Sequence, residues 1–176
     1  MNKITGDHIG MLATVMNALA LSDTFIRNKI PSTVMSGFPI GGGVCDSFNH
    51  NKAKSELRNG KVVIFSAGTG SPCFTTDTAA ALRAVEIGAE IVFKATKVDG
   101  IYSSDPIKDS SAIKFDSLTF DSAIEQNINV MDTAAFALCR DNNIKICVFS
   151  RLEDNYSLAN IIKGQIIGTT VSQNGD

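Results

Sequence analysis

The sequence predicts an α/β protein in which helices cover both faces of a mainly parallel sheet. Strand-like and helix-like segments alternate along the chain, which is the pattern of repeated βαβ units. The segment 62–65, Val-Val-Ile-Phe, is apolar at every position, as expected for a strand buried on both faces. The chain has 176 residues, 44% hydrophobic and 19% charged, so we expect residues 1–176 to form a single domain.

A long amphipathic helix is predicted at residues 7–29. Its apolar residues recur at the spacing of one helical face, and Pro31 follows as a stop. Gly60 and Gly88 each suit the position just past a helix C-terminus. The other elements predicted in the first half are a strand at 33–36, a glycine-rich connection at 38–47, a helix at 51–58, a strand at 61–65 and a helix at 76–87.

The second half of the chain continues the alternation. It predicts a strand at 90–93, helices at 119–126 and 133–142, a strand at 145–149, a short helix at 158–162 and a final edge strand at 165–170. In parallel sheets, ligands bind beyond the carboxyl ends of the strands. The candidate binding loops are therefore residues 66–76, 94–106 and 150–155.

Charge and cysteine content disfavour several classes of function. The chain has 16 Lys and Arg residues against 18 Asp and Glu, a formal charge of −2, so we expect no nucleic-acid partner. Its four cysteines include no Cys-x-x-Cys pair, which disfavours a zinc site. We interpret them as reduced thiols of a cytoplasmic protein.

The apolar N-terminal segment has the features of a signal peptide only in part. Residues 9–21 are mostly apolar, and the Ala-Leu-Ala tripeptide within them resembles a signal-peptidase site. However, Asp7 lies just before this run and Asn17 lies inside it. A membrane helix needs about 18 consecutive apolar residues, so we expect an amphipathic helix and no membrane association.

The loop at residues 66–76 has two interpretations. Gly68 and Gly70 permit left-handed backbone and close approach of a ligand, and the N-terminus of the following helix favours an anion. Thr75 and Thr76 would then supply hydroxyl donors. Alternatively, the glycines form a tight turn and a threonine caps the helix, which is a purely structural arrangement.

Asp77 also has two possible roles. In the first turn of a helix, a carboxylate stabilises the helix dipole. Beside bound phosphates, it would instead be a ligand of Mg²⁺, because this hard cation prefers carboxylate oxygens. The sequence identifies no set of protein side chains that would hold a metal ion without a nucleotide, so Asp77 is the one candidate ligand.

The loop at residues 94–106 directly follows a predicted strand. Its Asp99-Gly100 and Asp105-Pro106 pairs are turn signals, so the segment is at least a polar surface loop. In a functional interpretation, Thr96 and Asp105 form hydrogen bonds with a nucleotide. Tyr102 then provides a flat surface beside the base or the ribose.

Five segments of the chain resemble the ordered signatures of bacterial-type UMP kinases, a family of the amino-acid-kinase superfamily. Residues 68–77, Gly-Thr-Gly-Ser-Pro-Cys-Phe-Thr-Thr-Asp, are similar to the UMP-binding loop, with Ser71 and Cys73 where Asn and Phe are frequent. The other four are Gly6-Asp7-His8 and the residues up to 17, Gly43-Val44-Cys45-Asp46, residues 94–102 with Asp105-Pro106, and Val130-Met131-Asp132 with Ala135-Phe136 and Arg140-Asp141. The resemblance therefore covers nearly the whole chain.

The resemblance implies an amino-acid-kinase fold, an αβα sandwich, and the transfer of a phosphoryl group from ATP to UMP in pyrimidine nucleotide biosynthesis. It implies Mg²⁺ with the ATP, a homohexamer, activation by GTP and inhibition by UTP. Asp77 is assigned to organising the metal or the phosphates, as the catalytic residue. The implied UMP contacts are Asp7, Thr69, Gly70, Ser71, Pro72, Cys73, Phe74, Thr75 and Thr76, and the implied ATP contacts are Thr96, Tyr102 and Asp105.

This chain departs from the family pattern at its start. Members of the family begin with a strand and a Lys-x-Ser-Gly turn, followed by a Gly-Gly-Gly turn with a nearby Arg, whereas this sequence opens just before Gly6-Asp7-His8. We therefore expect an N-terminally truncated fold with poor kinase activity. Two alternatives remain open: a non-catalytic nucleotide-binding or assembly fragment, and a kinase of the same superfamily that acts on a carboxylate or carbamate.

Overall fold

Mainly parallel strand pairing is observed throughout the part of the chain that the structure, a computed structural model, describes. That part comprises residues 1–126, 128, 130–152, 158–165 and 168–175. Four of its six strand pairs are parallel, which confirms the predicted α/β class. The chain divides into unit 1, Met1–Ile87, and unit 2, Gly88–Asp176. A single domain over all 176 residues stays a prediction.

Unit 1 is built on a parallel sheet with the strand order β2-β1-β3. Ser36 and Ser66, the last residues of β1 and β3, lie opposite each other in the register. The loops that leave these two strands therefore start side by side, at the edge where parallel sheets bind ligands. The elements are α1 (Lys3–Arg27), β1 (Ser32–Ser36), β2 (Asp46–Ser47), α2 (His50–Arg58), β3 (Val62–Ser66) and α3 (Thr76–Ile87).

Helix α1 begins earlier than predicted because Asn2 caps it. The Asn2 side chain accepts a hydrogen bond from the Ile4 N–H at 2.9 Å. Such a bond satisfies one of the amides that a helix start leaves unpaired. Val15, Ala18 and Ser22 form the buried face of the helix, while most of its other residues are exposed.

By length and apolar composition, α1 meets the criterion for a membrane-spanning helix. It does so through its average hydropathy, although its apolar residues do not form one uninterrupted run of about 18. Only 17% of the apolar window is buried within the protein. Buried helices of soluble proteins and N-terminal signal sequences also meet this criterion, so it is weak support for a membrane span.

Strand β3 is less buried than its apolar sequence predicts. Val62 is exposed, and Val63, Ile64 and Phe65 are only partly buried. The expectation of burial on both faces was wrong because β3 lies at one end of the order β2-β1-β3. Within the described residues it pairs with β1 alone, so one side of the strand lacks a neighbour.

Unit 2 contains a four-stranded sheet with the order β4-β8-β9-β7 and a separate antiparallel pair, β5-β6. Strand β4 extends to Thr96, further than predicted, so its final residues belong to the sheet rather than to the following loop. Three short strands of unit 2, β5, β6 and β7, were not predicted. The elements are β4 (Ile91–Thr96), β5 (Ile101–Tyr102), β6 (Lys114–Phe115), β7 (Ser117–Thr119), α4 (Phe120–Glu125), α5 (Thr133–Asp141), β8 (Lys145–Ser150), α6 (Leu158–Ile162) and β9 (Thr169–Ser172).

Strand β9 is an interior strand, which corrects the predicted edge position. It pairs antiparallel with β8 and parallel with β7. The prediction was wrong because the short strand β7 was missed, and β7 occupies the place beyond β9. Ile146, Val148 and Val171 of β8 and β9 have no exposed surface and form the centre of the unit 2 core. Parts of the predicted loop 150–155 and strand 165–170 lie outside the described residues.

Candidate functional site

The loop between β3 and α3 is held in an unusual backbone conformation. Ala67, Gly68, Gly70 and Cys73 all have positive φ angles, of 58°, 58°, 86° and 70°. Residues with a Cβ rarely adopt this left-handed conformation, because it brings the Cβ close to the backbone. Ala67 and Cys73 therefore need specific contacts to stay in place, and α1 supplies them.

Two side chains of α1 bind the backbone of this loop. The Ala67 N–H donates to Thr14 Oγ1 at 2.8 Å, and the Cys73 N–H donates to Asp7 Oδ2 at 2.8 Å. Thr14 and Asp7 lie about two helical turns apart, on the same face of the helix. One face of α1 thus fixes both left-handed residues that carry a Cβ, near the two ends of the loop.

Gly37 and Gly70 bring two loop backbones into direct contact. The Gly37 N–H donates to the Ser66 carbonyl at 2.9 Å, which continues the pairing of β1 with β3. A Cβ atom on Gly70 would lie 2.2 Å from the Gly37 carbonyl oxygen, and one on Gly37 would lie 2.7 Å from the Gly70 nitrogen. Glycine is therefore required at both positions for the loop to pack as it does.

Arg83 of α3 supports the same loop from inside unit 1. The residue is only 6% exposed, and its guanidinium donates to the Gly68 carbonyl at 3.1 Å. It also forms an ion pair with Glu86 at 2.5 Å and lies 3.8 Å from the centre of the Phe48 ring. A buried arginine is stable only when paired in this way.

The predicted UMP-loop hydroxyls already form bonds within the loop. Thr69 Oγ1 donates to the Ser71 carbonyl and accepts from the Ser71 N–H, both at 3.1 Å. Thr75 Oγ1 accepts from the Thr78 N–H at 3.1 Å and so caps α3. The structural interpretation of a threonine cap is therefore confirmed. Ser71, Cys73, Phe74, Thr75 and Thr76 are exposed, while Asp77 is half-buried in the first helical turn.

In unit 2, Tyr102 and Asp105 line a cavity of about 460 Å³. The third predicted residue, Thr96, does not line it, but its hydroxyl donates to the Val98 carbonyl at 2.7 Å and accepts the Val98 N–H at 3.0 Å. Val98 is part of the lining, so Thr96 shapes the wall. The remaining lining residues are Gly100, Ile101, Ser103, Ser104, Pro106, Lys108, Gln126, Ile128 and Val130.

Asp99 orients Tyr102 at this cavity. The Tyr102 hydroxyl donates to Asp99 Oδ1 at 2.6 Å, and Lys114 Nζ donates to Asp99 Oδ2 at 2.7 Å. Burial favours a higher pKa for Asp99, but the hydrogen bonds from Lys114 and Tyr102 outweigh it and lower the pKa below the ordinary value. Asp99 is therefore ionised at neutral pH and accepts both bonds.

Thr169 joins β9 to the backbone beside the cavity. It is completely buried, and its hydroxyl accepts from the Ile101 N–H at 2.8 Å and donates to the Phe115 carbonyl at 2.5 Å. A single hydroxyl thus satisfies a buried N–H of β5 and a partly buried carbonyl of β6. Gly100 packs against the same oxygen, since a Cβ there would lie 2.6 Å from Thr169 Oγ1.

The described residues fit a metal ion that is brought by a nucleotide. They contain no cluster of three or more His, Cys, Asp or Glu side chains that could hold a metal. Mg²⁺ bound to nucleotide phosphates usually takes only one or two protein carboxylates, and water and phosphate supply its other ligands. Asp77 supplies one carboxylate in the first turn of α3.

Several residues of these sites were not predicted from the sequence. They are Thr14, Gly37 and Arg83 in unit 1, and Asp99, Lys114 and Thr169 in unit 2. Arg83 did leave a signal, because it is the one charged residue within the apolar stretch 79–85 of α3. Thr14 and Thr169 left none, since a threonine in a mostly apolar segment has no distinctive pattern.

The fold and the two loops define an α/β protein whose candidate loops follow the carboxyl ends of parallel strands, where such sheets bind ligands. A model of the amino acid kinase family matches residues 1–150. The uridylate kinase of Ruthia magnifica subsp. Calyptogena magnifica is 67% identical over 171 residues, which are 97% of this chain and 72% of the relative. That of Legionella pneumophila strain Corby is 52% identical over 174 residues, 99% of this chain and 70% of the relative.

Solved structures agree with this comparison. The UMP kinase of Bacillus anthracis superposes with a TM-score of 0.94 at 32% identity, over 99% of this chain and 71% of that one. The UMP kinase of Ureaplasma parvum gives a TM-score of 0.90 at 35% identity, over 98% and 73%. The chain therefore belongs to the amino acid kinase family, among its uridylate kinases, and the predicted amino-acid-kinase fold is confirmed.

Proposed function

We propose that this protein is a nucleoside monophosphate kinase that transfers a phosphoryl group from ATP to UMP. One observation carries the proposal: the Asp7 carboxylate binds the Cys73 amide at 2.8 Å. This contact unites the Gly6-Asp7-His8 segment with the 69–76 loop, which are the two segments assigned to UMP by resemblance. They are far apart in sequence, so their meeting is a property of the fold. The names of the relatives support the same substrate.

We assign the acceptor nucleotide to unit 1. Asp7 uses Oδ2 for the loop, and a carboxylate has a second oxygen that can accept a bond from a ribose hydroxyl. The α3 N-terminus carries a partial positive charge, which favours the UMP phosphate near Thr76. The exposed Ser71, Cys73 and Phe74 lie on the part of the loop that we assign to the base.

We assign ATP to the cavity of unit 2. Its volume of about 460 Å³ lies within the range of small-molecule sites. Tyr102, held by Asp99, offers an aromatic face for the base or ribose, and Asp105 offers carboxylate acceptors. Mg²⁺ would neutralise phosphate charge, and Asp77, in the first turn of α3 beside the position assigned to the UMP phosphate, would supply a protein carboxylate.

The reaction requires alignment more than acid–base chemistry. The UMP phosphate is already anionic at neutral pH, so its oxygen can attack without a strong general base. Phosphoryl transfer is then accelerated by in-line placement and by stabilisation of charge in the transition state. The residues named here position the two nucleotides. The sequence contains no Lys-x-Ser-Gly turn to stabilise the transferring group.

Two measurements test the proposal. UMP binding is measured by calorimetry, and UDP formation from ATP and UMP is measured in a coupled assay, with AMP as the control acceptor. We expect UMP binding but slow turnover by this chain alone, because each lost electrostatic donor costs about 10²- to 10³-fold in rate. Absence of UMP binding would overturn the proposal. Phosphorylation of aspartate, glutamate or carbamate would establish the alternative substrate class instead.

A non-catalytic role remains as a second candidate function. The contacts that Thr14, Asp7 and Arg83 make with the UMP loop all lie within unit 1. The loop can therefore keep its conformation whether or not phosphoryl transfer takes place. UMP binding with no detectable UDP formation would favour a nucleotide-binding or assembly fragment.

The thiol of Cys73 should report UMP binding. Cys73 is exposed, whereas burial raises the pKa of Cys139 to about 11 and also raises that of Cys147. Iodoacetamide should therefore alkylate Cys73 first at pH 7.5. UMP at ten times its Kd should slow this labelling about ten-fold, since about a tenth of the chains would be unliganded. Mass spectrometry of the labelled peptides measures the rate.

Two controls make the labelling experiment specific. AMP at the same concentration should leave the rate unchanged, and Cys73→Ser should remove the fast-labelled peptide. An unchanged Cys73 rate at a UMP concentration that saturates the protein by calorimetry would contradict the assignment of the loop to UMP.

We also propose that α1 mediates assembly into a homo-oligomer, with the hexamer of the resemblance as the expected size. Ile9, Leu12 and Met16 recur on one face of the helix and are all exposed. A row of apolar side chains on a helix surface is typical of a protein–protein interface.

We also propose for this protein the cytoplasmic location, the activation by GTP and the inhibition by UTP that the resemblance implies.

Sedimentation velocity tests the assembly surface. Met16→Glu places a charge at the C-terminal end of the apolar row, on its most exposed residue, so the protein should sediment as a smaller species than the wild type. Leu57→Glu alters an exposed apolar residue of α2 and should leave the wild-type species unchanged. A wild-type monomer, or an assembly that Met16→Glu leaves intact, would contradict the proposal.

A further inference from the structure

The buried contact between Arg83 and the Gly68 carbonyl has a consequence for phosphate recognition. It rests on the proposed role of the 69–76 loop in binding UMP. Arg83 Nη2 donates to the Gly68 oxygen at 3.1 Å, and Nη1 is held by Glu86 at 2.5 Å. The orientation of the Gly68 carbonyl is therefore determined by a side chain that is itself paired and buried.

The direction of the Gly68 carbonyl determines that of the next amide. The chain has no cis peptide bond within the described residues, so the Gly68–Thr69 peptide is trans and planar. In such a unit the C=O and N–H groups point in opposite directions. With the carbonyl directed at buried Arg83, the Thr69 N–H is directed away from Arg83.

We infer that Arg83 is a positioning residue that aims the Thr69 backbone N–H at the phosphate of the acceptor nucleotide. Arg83 does not touch the ligand in this arrangement. It selects one orientation of a peptide that, because Gly68 has a φ of 58° and lacks a Cβ, could otherwise rotate easily. Preorganised amides of this kind bind anions without the cost of reorientation.

The chemistry of the site requires arginine rather than lysine. Arg83 binds Gly68 and Glu86 through two different nitrogens while its carbon lies 3.8 Å from the centre of the Phe48 ring. Only a planar group with several fixed donors makes all three contacts together. A lysine would keep the positive charge and the pairing with Glu86 but would release the Gly68 carbonyl.

The test compares UMP with uridine, which lacks the phosphate. In Arg83→Lys of the full chain, we expect the Kd for UMP to rise about ten-fold, because one hydrogen bond to a charged group is lost. The Kd for uridine should stay within about two-fold, since the base and ribose contacts are untouched. Arg27→Lys is the matched control, because Arg27 is an exposed residue of α1 whose only side-chain partner within the described residues is Asp23.

The ratio of the two dissociation constants separates the possible outcomes. Equal loss of UMP and uridine affinity in Arg83→Lys would indicate a general structural role and overturn the inference. Unchanged affinity for both UMP and uridine in Arg83→Lys would overturn the inference while leaving the proposed function intact. A wild-type chain that binds neither ligand would overturn both.

A second measurement covers the case in which Arg83→Lys folds poorly. In Phe48→Leu, the stacking partner of the guanidinium is lost but both of its hydrogen bonds remain possible. The Thr69 amide resonance in a ¹H–¹⁵N spectrum should move on addition of UMP in the wild type, and by a smaller amount in Phe48→Leu. A Thr69 resonance that UMP does not move in the wild type would refute the assignment.

Discussion

Gly70→Ala should abolish measurable UMP binding, with an expected loss of more than about 3 kcal/mol in the stability of the loop. The left-handed φ of 86° costs a residue with a Cβ about 1–2 kcal/mol. In addition, the new Cβ would lie 2.2 Å from the Gly37 carbonyl oxygen, which is backbone and cannot rotate away. The loop must therefore move, and with it the groups assigned to the phosphate. Calorimetry with UMP and thermal unfolding measure the two effects.

Alanine substitutions at two other glycines separate the cost of the left-handed backbone from the cost of the steric clash. Gly60 has a φ of 75° and open space around its Cβ position, so Gly60→Ala should show the strain cost alone. Gly10 lies inside α1 with nothing within 4 Å, so Gly10→Ala should be neutral or stabilising by up to about 1 kcal/mol. Wild-type UMP affinity in Gly70→Ala would contradict the contact between the two loops.

Thr169→Val should weaken ATP binding by at least about ten-fold and leave UMP binding unchanged. Valine has nearly the same shape as threonine, but it leaves the Ile101 amide and the Phe115 carbonyl without their hydroxyl partner. An unsatisfied buried polar group costs about 1–3 kcal/mol. Because Ile101 lines the cavity of unit 2, loss of these hydrogen bonds should also displace the groups assigned to ATP.

The neighbouring Thr170→Val is the matched control for this substitution. Thr170 lies next to Thr169 in β9 but is only half-buried, so the same chemical change should have a small effect there. Binding of ATP and UMP is measured by calorimetry for both variants. Equal losses of ATP affinity in the two variants, or a loss of UMP affinity in Thr169→Val, would contradict the assignment of ATP to unit 2.

The sequence predicted the elements that depend on local pattern. Helices α1, α2 and α3 and strand β8 carry strong periodicity or apolar runs, and their positions were predicted within a few residues. Strands β5 and β6 have two residues each, so they are too short to produce a pattern. Because β7 was missed, the position of β9 was predicted wrongly as well.

The burial of strands was harder to predict than their position. The apolar run of β3 was expected to be buried on both faces, but β8 is the more buried strand because it has a neighbour on each side. Burial depends on which strands become neighbours, and this information is distributed along the chain. Sequence pattern describes each strand separately, so it cannot supply that order.

In the candidate site, too, features with a local sequence pattern were predicted and tertiary contacts were not. The glycines and threonines of the 66–76 loop were recognised because they lie together in the sequence. Their anchors were not, since Thr14 and Asp7 reach the loop across 53 and 66 residues. Asp7 was identified only through family resemblance. Contacts of this kind depend on tertiary structure, and no local pattern marks them.

One face of α1 contacts the loop assigned to UMP, and the opposite face is the proposed assembly surface. The free energies of UMP binding and of assembly are therefore coupled through this helix. Asp7 and Thr14 point to the loop, while Ile9, Leu12 and Met16 lie about half a turn away around the helix. Both events act on this one helix, so each can change the free energy of the other. Thermodynamic linkage then requires that UMP tighten the assembly by the same factor by which assembly tightens UMP.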